Sequence, residues 1–492
     1  MHPYQSLTTH LARYEQLESI AAVLAWDQQT YCPPGAAEGR GAQLAFLAGE
    51  QHRVLADDRI VDWLEALGAE ELDATQAASV RNIGRQVRRA RALPQALVER
   101  MARLSSDGFA AWMAAREAND FGRFSPILAQ LVEAKLEEAT LIDPSRAAYD
   151  VLLEPYDPGT STATLTPMFA RLGEGLRELI DAIAEQPPVE VSFPAVPDDV
   201  QLAWHHRIAE ALGYDMNTGR IDLAEHPFTI RLGPADVRIT TRVHEGDLLS
   251  GLGGTVHEAG HAMYEQGLPH LPGTMVGEAA SMGLHESQSR FWENVIGRSR
   301  AFFDFASEQL VAAGGPTISA EALYRGANRV TPGLTRVEAD EVTYNLHVIV
   351  RFELERALFA GEVSVDELEG AWNAAYERLL GVTPPDARRG VLQDVHWSSG
   401  AFGYFPSYTL GNLYAASFGH TLLAAQPALW SDVSAGRFGG VLDWLRTQVH
   451  QQGHHVDAPE LVQGVVGDRD HVADLLDYLW SRHGALYGAV RP

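Results

Sequence analysis

Lysine and cysteine are nearly missing from this sequence, with Lys135 and Cys32 the only examples among 492 residues. One lysine all but excludes Schiff-base or lysine-nucleophile chemistry, and any site that must hold a carboxylate has to use arginine. One cysteine leaves no disulfide framework and no thiolate cluster for a structural metal, which fits a reducing compartment. No apolar run of 18 residues occurs, and polar side chains interrupt every apolar stretch in the first twenty residues. Neither a membrane span nor a secretory leader is expected. Positive charge is scarce overall, 38 basic against 65 acidic residues for a net charge of −27. Such a surface opposes phosphate backbones and anionic lipid, so nucleic acid and membranes are poor partners and a cytoplasmic protein is expected.

What is present is helical periodicity. Leu7, Leu11, Tyr14, Leu17, Ile20 and Leu24 fall at spacings of three and four, one face of a helix over 5–30. Similar stripes run through 95–140, 163–185, 318–360 and 364–380. CPPG at 32–35, YDPG at 156–159 and the proline-rich 186–197 punctuate them. None of these breaks is long enough to be an interdomain linker. HPFTIRLGPADVRITTRVHE at 226–245 is the exception to helix: residues 228–231 and 237–240 flank a Gly-Pro turn and read as a β-hairpin. The expected fold is mainly α, with a small sheet beside the segment that follows.

That segment, TVHEAGHAMYEQG, holds His257, Glu258 and His261 in a helical context, and the i, i+4 spacing puts both imidazoles on one face. Neutral imidazoles suit Zn²⁺, and Glu258 is placed to deprotonate a water on the metal. The bland alternative is a surface helix with two solvated histidines. A second acidic motif, SMGLHESQSRFWEN at 281–294, puts Glu286 25 residues beyond His261, and LPHLPGTMVGEAA between them can turn the chain back. A zinc site of this design needs a third protein ligand, which Glu286 supplies; as a plain helix carboxylate it would be solvated. His285 is either an outer partner of a ligand or polar packing. Further on, 335–355 carries Arg336, Asp340 and Glu341 on a segment read as helical. The irregular, glycine-rich 391–412 gathers Gln393, Asp394, His396, Trp397, Tyr404 and Tyr408, a density of donors and aromatics typical of binding loops.

DVRIT, HEAGH, HESQSR, TRVEAD and GVLQDVHW, in that order, resemble the carboxypeptidase Taq family of metallocarboxypeptidases, and WDQQTYCPPGAAEGRGAQLAFL at 26–47 and YDPGTST at 156–162 extend the likeness over most of the chain. Cys32 stands where that family's pattern has methionine. The resemblance implies that His257, His261 and Glu286 bind one Zn²⁺ per subunit, with Co²⁺ or Mn²⁺ as substitutes, and that Glu258 is general base and acid. It implies Arg336 as the partner of the substrate's terminal carboxylate. Arg238 is a second candidate, its alternative role being an ion pair with Asp236 or a neighbouring helix. His396, Tyr404 and Tyr408 become donors to the tetrahedral intermediate, with packing as their alternative, and His226 a contact to substrate backbone. It further implies a single domain over 1–492 with a deep groove, N-terminal helices (1–115) capping a catalytic body (116–492), and a homodimer. The implied activity is release of single C-terminal amino acids from peptides with broad specificity, proline excluded. The rivals are a zinc oligopeptidase or dipeptidyl carboxypeptidase on a related groove, and a non-catalytic peptide-binding scaffold; the intact Glu258 argues against the scaffold.

Overall fold

The structure, a computed structural model, describes residues 2–243 and 246–491. It opens with four helices, α1 (Pro3–Thr30), α2 (Ala37–Leu55), α3 (Asp58–Leu67) and α4 (Ala74–Ala92). Pro3 and the His2 side chain, which accepts from the Tyr4 N–H, start α1, and the Pro33-Pro34 pair follows its end. The apolar stripe read from the sequence is buried over its first half only, with Tyr14 and Leu17 half-buried and Ile20 exposed. Leu7 and Leu11 are buried against Val54, Ile60, Leu67, Ile83 and Val87 in a small core separate from the main one.

The remaining helices are α5 (Gln95–Ala118), α6 (Ser125–Ile142), α7 (Ala148–Leu153), α8 (Thr162–Ala184) and α9 (Asp198–Leu212), then, after a sheet, α10 (Leu248–Gly267), α11 (Met282–Arg290), α12 (Arg300–Ala312), α13 (Ala320–Ala327), α14 (Tyr344–Ala360), α15 (Leu368–Leu380) and α16 (Pro406–Ala425), with α17 (Leu429–Ser434) to α21 (Ala485–Tyr487) closing the chain. Residues from Leu97 to Trp480 share one large apolar core. The fold is mainly α, as expected.

Between α9 and α10 lie β1 (Ile221–Leu223), β2 (Thr229–Gly233) and β3 (Asp236–Thr241), ordered β1-β3-β2. The β2–β3 hairpin matches the expected strands, and the last two residues of that expected hairpin, His244 and Glu245, lie outside the described residues. β1 was not legible: it is three residues long and pairs in parallel with β3, Ile221 opposite Ile239. Among the described residues no helix is long and apolar enough to cross a membrane.

Two expected elements differ. The stripe at 318–360 is not one helix. Residues 328–343 are irregular, broken at Pro332-Gly333, and the Asp340 carboxylate accepts from the N–H groups of Thr331, Val342 and Thr343, which supplies backbone partners outside a helix. Arg336 therefore sits in a 3₁₀ turn (Arg336–Glu338) rather than on a helix face. At 391–412 only the first part is irregular, because Pro406 opens α16, so Tyr404 lies in the loop and Tyr408 in the first turn of the helix.

The segment joining α10 to α11 reaches back to the N-terminal helices. Met275, at φ +55°, inserts its buried side chain into the small core, its carbonyl accepts from Asn82, and Gly273 N–H donates to Glu15 on α1. A methionine in the left-handed region is uncommon and is held here by packing on both sides. The connection ties the N-terminal helices to the two helices that carry the HEAGH and HESQ motifs.

Candidate metal centre and the groove around it

Asp247 caps α10 by accepting from the Ser250 N–H, and three turns on the helix presents His257 and His261 side by side. α11 lies directly against it. A Cβ built on Gly260 would fall 2.7 Å from Ser289 Cα and 2.8 Å from the Gln288 carbonyl, so the glycine inside HEAGH is what permits this approach. Glu286 thereby reaches both imidazoles, with Oε2 3.7 Å from His257 Nε2 and 3.3 Å from His261 Nε2. The three donor atoms lie within 4.8 Å of one another.

The donor set fits a tetrahedral cation. Ligand bonds of about 2.0–2.1 Å separate donors by roughly 3.4 Å, close to the spacings around Glu286 Oε2. The far ring nitrogens are occupied as a metal site requires. His257 Nδ1 is 2.9 Å from Glu293 Oε2, and His261 Nδ1 is 2.6 Å from His285 Nδ1, whose Nε2 lies 3.0 Å from Glu265 Oε1. With protons on His257 Nδ1, His261 Nδ1 and His285 Nε2, each hydrogen bond has one donor and both facing Nε2 lone pairs are free for a metal. Burial alone would push the Glu286 carboxyl up. The Arg290 guanidinium, donating from Nε at 2.7 Å, and the two imidazoles override it and hold Glu286 well below the usual carboxylate range.

Glu258 is buried one residue along, and its Oε2 lies 2.6 Å from the Thr229 hydroxyl on β2. The small sheet thus forms the wall beside Glu258. Desolvation raises the Glu258 pKa, with His257 and Thr229 opposing.

Across the site, Arg290 stacks on the Tyr344 ring at 4.4 Å, and Tyr344 accepts from Arg336 Nη1 at 3.1 Å. One tyrosine therefore spans the distance between a metal ligand's arginine and Arg336. Arg336 is itself buried, donates from Nε and Nη2 to Asp394 Oδ1 at 3.0 and 2.8 Å, and faces the Tyr408 ring at 4.8 Å. Asp394 also accepts from the fully buried Arg351 at 2.6 Å. Two guanidiniums thus share the Asp394 carboxylate.

The loop before α16 completes the wall. His396 Nε2 is 3.2 Å from the Tyr408 hydroxyl, and Tyr404 stands edge-on to both Tyr408 and Tyr156. Burial lowers the His396 pKa to about 4, with Asp394 opposing and the two arginines reinforcing, so the ring is neutral at pH 7. Arg238 forms a two-bond ion pair with Asp236 and stacks on Trp26 at 4.3 Å, clasping α1 to the sheet; His226 is exposed just ahead of β2. Glu265, Arg290, Glu293, Thr229 and Tyr344 did not stand out in the sequence. Spacing carried a signal for two of them: Glu265 is four residues after His261, and Arg290 four after Glu286.

Beneath the loop, the Glu355 carboxylate accepts from Tyr149 Oη, Trp397 Nε1 and the Gly403 N–H at 2.7, 2.7 and 3.0 Å. Burial pushes its pKa up from 4.5 to about 7 against these three donors. Folding thus takes up a proton between those values. The contribution is most favourable below pH 4.5 and is lost as pH rises through 7, worth at most about 3 kcal/mol. In Glu355→Gln that titration is gone, so the difference in Tm between wild type and variant should move in the variant's favour by a few degrees from pH 5 to pH 8. A pH-independent difference would remove Glu355 from the acid–base behaviour of the fold.

Two imidazole nitrogens and a carboxylate oxygen converging from packed helices, with a further glutamate beside the first histidine, form the site of a metallopeptidase. The chain belongs to the carboxypeptidase Taq (M32) metallopeptidase family, whose profile matches residues 6–483. It is 41% identical over 504 aligned positions to thermostable carboxypeptidase 1 of Thermus thermophilus, covering 99% of each chain, and 34% identical to carboxypeptidase 1 of Bacillus subtilis, covering 97% of each. The crystal structure of the M32 carboxypeptidase of Deinococcus radiodurans superposes with a TM-score of 0.94 at 38% identity, covering 99% of this chain and 100% of that one. The chain is therefore a metallocarboxypeptidase, a hydrolase of peptides, with His257, His261 and Glu286 as its metal-binding set.

Proposed function

We propose that the enzyme is a zinc carboxypeptidase that releases single amino acids from the free C-terminus of peptides with broad side-chain tolerance, proline excluded. The observation that carries this reading is Arg336, a buried guanidinium joined to the metal site through Tyr344 and sharing its one carboxylate partner with Arg351. A peptide's terminal carboxylate would give these two guanidiniums a second close anion, in the two-bond geometry that arginine favours.

Held by His257, His261 and Glu286, one zinc ion per subunit would supply Lewis acidity and lower the pKa of water, with Co²⁺ or Mn²⁺ as substitutes in the same site. Glu258 takes the proton of the attacking water on Oε1 or Oε2 and returns it to the leaving amine, while Thr229 fixes the carboxylate's orientation. Tyr404, Tyr408 and neutral His396 donate to the oxygen that gains charge as the carbonyl becomes tetrahedral. Arg336 fixes the last residue so that only the final peptide bond reaches Glu258. His226 contacts the peptide backbone, and Arg238, the second candidate for the terminal carboxylate, is already engaged by Asp236 and Trp26, which favours Arg336 for that role.

The division into N-terminal helical cap (1–115) and catalytic body (116–492) is supported for α1–α4, which share a small core of their own with Met275, whereas Leu97, Leu104 and Trp112 of α5 pack into the main core. Residence in the cytoplasm is supported by the single cysteine, and a homodimer is proposed from the family likeness.

The test is a zinc-loaded digestion of an N-blocked tripeptide and of the same peptide amidated at its C-terminus, followed by mass spectrometry. Release of one amino acid from the free acid alone is the expected result. Release of a dipeptide, internal cleavage, or equal attack on the amide would replace this reading with that of an oligopeptidase or dipeptidyl carboxypeptidase.

A further inference from the structure

The third metal ligand has no freedom of its own. α11 is held between α10 and α16, and at each contact a glycine stands where any side chain would collide. Gly260 opens the α10 side. On the α16 side, a Cβ built on Gly411 would fall 2.5 Å from Glu286 Cγ, 2.7 Å from Glu286 Cβ and 3.0 Å from Glu286 carbonyl carbon. Two of these three atoms belong to the ligand's own side chain, and none is the far end of a flexible group. The same pair of helices is pinned one turn away. The buried Asp157 of the YDPG turn accepts from the Gly283 N–H at the start of α11 with Oδ1 and from the Ser407 hydroxyl in the first turn of α16 with Oδ2, while Met282 N–H donates to the Tyr156 carbonyl. Tyr404 and Tyr408 flank Ser407 in sequence.

We propose that Gly411 and the Asp157 pin are positioning residues which lock Glu286 to the helix bearing the tyrosine donors, so that metal affinity depends on the α11–α16 contact as well as on the three ligands. The bare surface of Gly411 lets the Glu286 stem lie flat on α16. Asp157 stops α11 from sliding along it. A ligand carboxylate preset in this way binds the ion without first having to be ordered, as outer partners do for histidine ligands. The YDPG motif, read from the sequence as a turn and as part of the family likeness, acquires a role at a distance from the metal.

The test compares Gly411→Ala, Ser407→Ala and Gly419→Ala, each stripped and then titrated with Zn²⁺ against a chromophoric chelator, with Tm recorded for the apo forms. Gly419 lies on the same helix, but the nearest atoms to a Cβ there are those of the Val295 side chain, from 2.9 Å outward. Gly411→Ala is expected to weaken Zn²⁺ binding about tenfold or more, and Ser407→Ala by about threefold or more, while Gly419→Ala lowers Tm with affinity held within about twofold. Should Gly411→Ala fail to fold, Ser407→Ala decides alone. Unchanged Zn²⁺ affinity in every variant that folds would reduce these contacts to ordinary packing and overturn the inference. The inference rests on Glu286 being a ligand, and that is tested separately by Glu286→Gln: normal zinc uptake there would defeat the ligand assignment itself rather than the positioning of Glu286.

Discussion

Glu258→Gln should lose about 10³-fold or more in kcat while keeping its zinc. General acid–base catalysis by a positioned side chain contributes about 10²–10⁴-fold, and Glu258 is asked to act twice, once on the water and once on the leaving amine. Glutamine keeps the volume and can still accept from the Thr229 hydroxyl, so neither the wall formed by β2 nor the three metal ligands should move. Removing the charge takes away the base alone. The measurement is steady-state kinetics on a free-acid tripeptide beside metal content by elemental analysis. A variant retaining metal and more than a tenth of wild-type kcat would take the proton transfer away from Glu258 and give it to another group facing the site.

The metal set was legible in the sequence because helices impose periodicity. His257 and His261 are one turn apart, and a helix of known pitch puts both rings on one face before any fold is known. Glu286 was legible only as a carboxylate on the next helical segment; what brings it to the metal is the approach allowed by Gly260, a contact with no signature of its own in the chain. The rest of the site is built from residues far apart in sequence. Thr229 on β2 and Tyr344 at the start of α14 meet the metal cluster through tertiary packing, and nothing in their local spacing points there. Glu293 lies in a π-helical turn (Phe291–Ile296) directly after α11, a local widening that follows from packing and redirects its side chain to His257.

The irregular segment 328–343 departs from its helical pattern for a related reason. Its apolar residues fall at helical spacings, yet Asp340 satisfies backbone N–H groups that a helix would have used, and Arg336 sits in a separate 3₁₀ turn whose first N–H donates to Gln393. Had the helix formed, Arg336 would have been one more side chain on its face. The local rule fails at the residue that function requires, which is where conflicts between pattern and structure are expected to concentrate.

Arg336→Lys should act on affinity for the free C-terminus and on little else. Lysine keeps the charge but cannot present two parallel donors, and Asp394 would still be paired with Arg351, so the cluster is not left with a naked buried carboxylate. Losing one partner of a buried charged pair costs about 2–5 kcal/mol, or roughly 30- to 5000-fold, and because lysine keeps the charge the fall in kcat/KM on free-acid peptides is expected toward the lower end of that range. Most of this should appear in KM, because the carboxylate is held equally in the ground state and the transition state, and such uniform binding leaves kcat largely unchanged. The C-terminally amidated peptide is the control: wild type should discriminate strongly against it, and the variant should treat acid and amide nearly alike. The coupling between the arginine and the carboxylate is then the double difference across enzyme and substrate. An equal loss on acid and amide would mean that Arg336 supports Tyr344 and Tyr408 rather than holding the peptide.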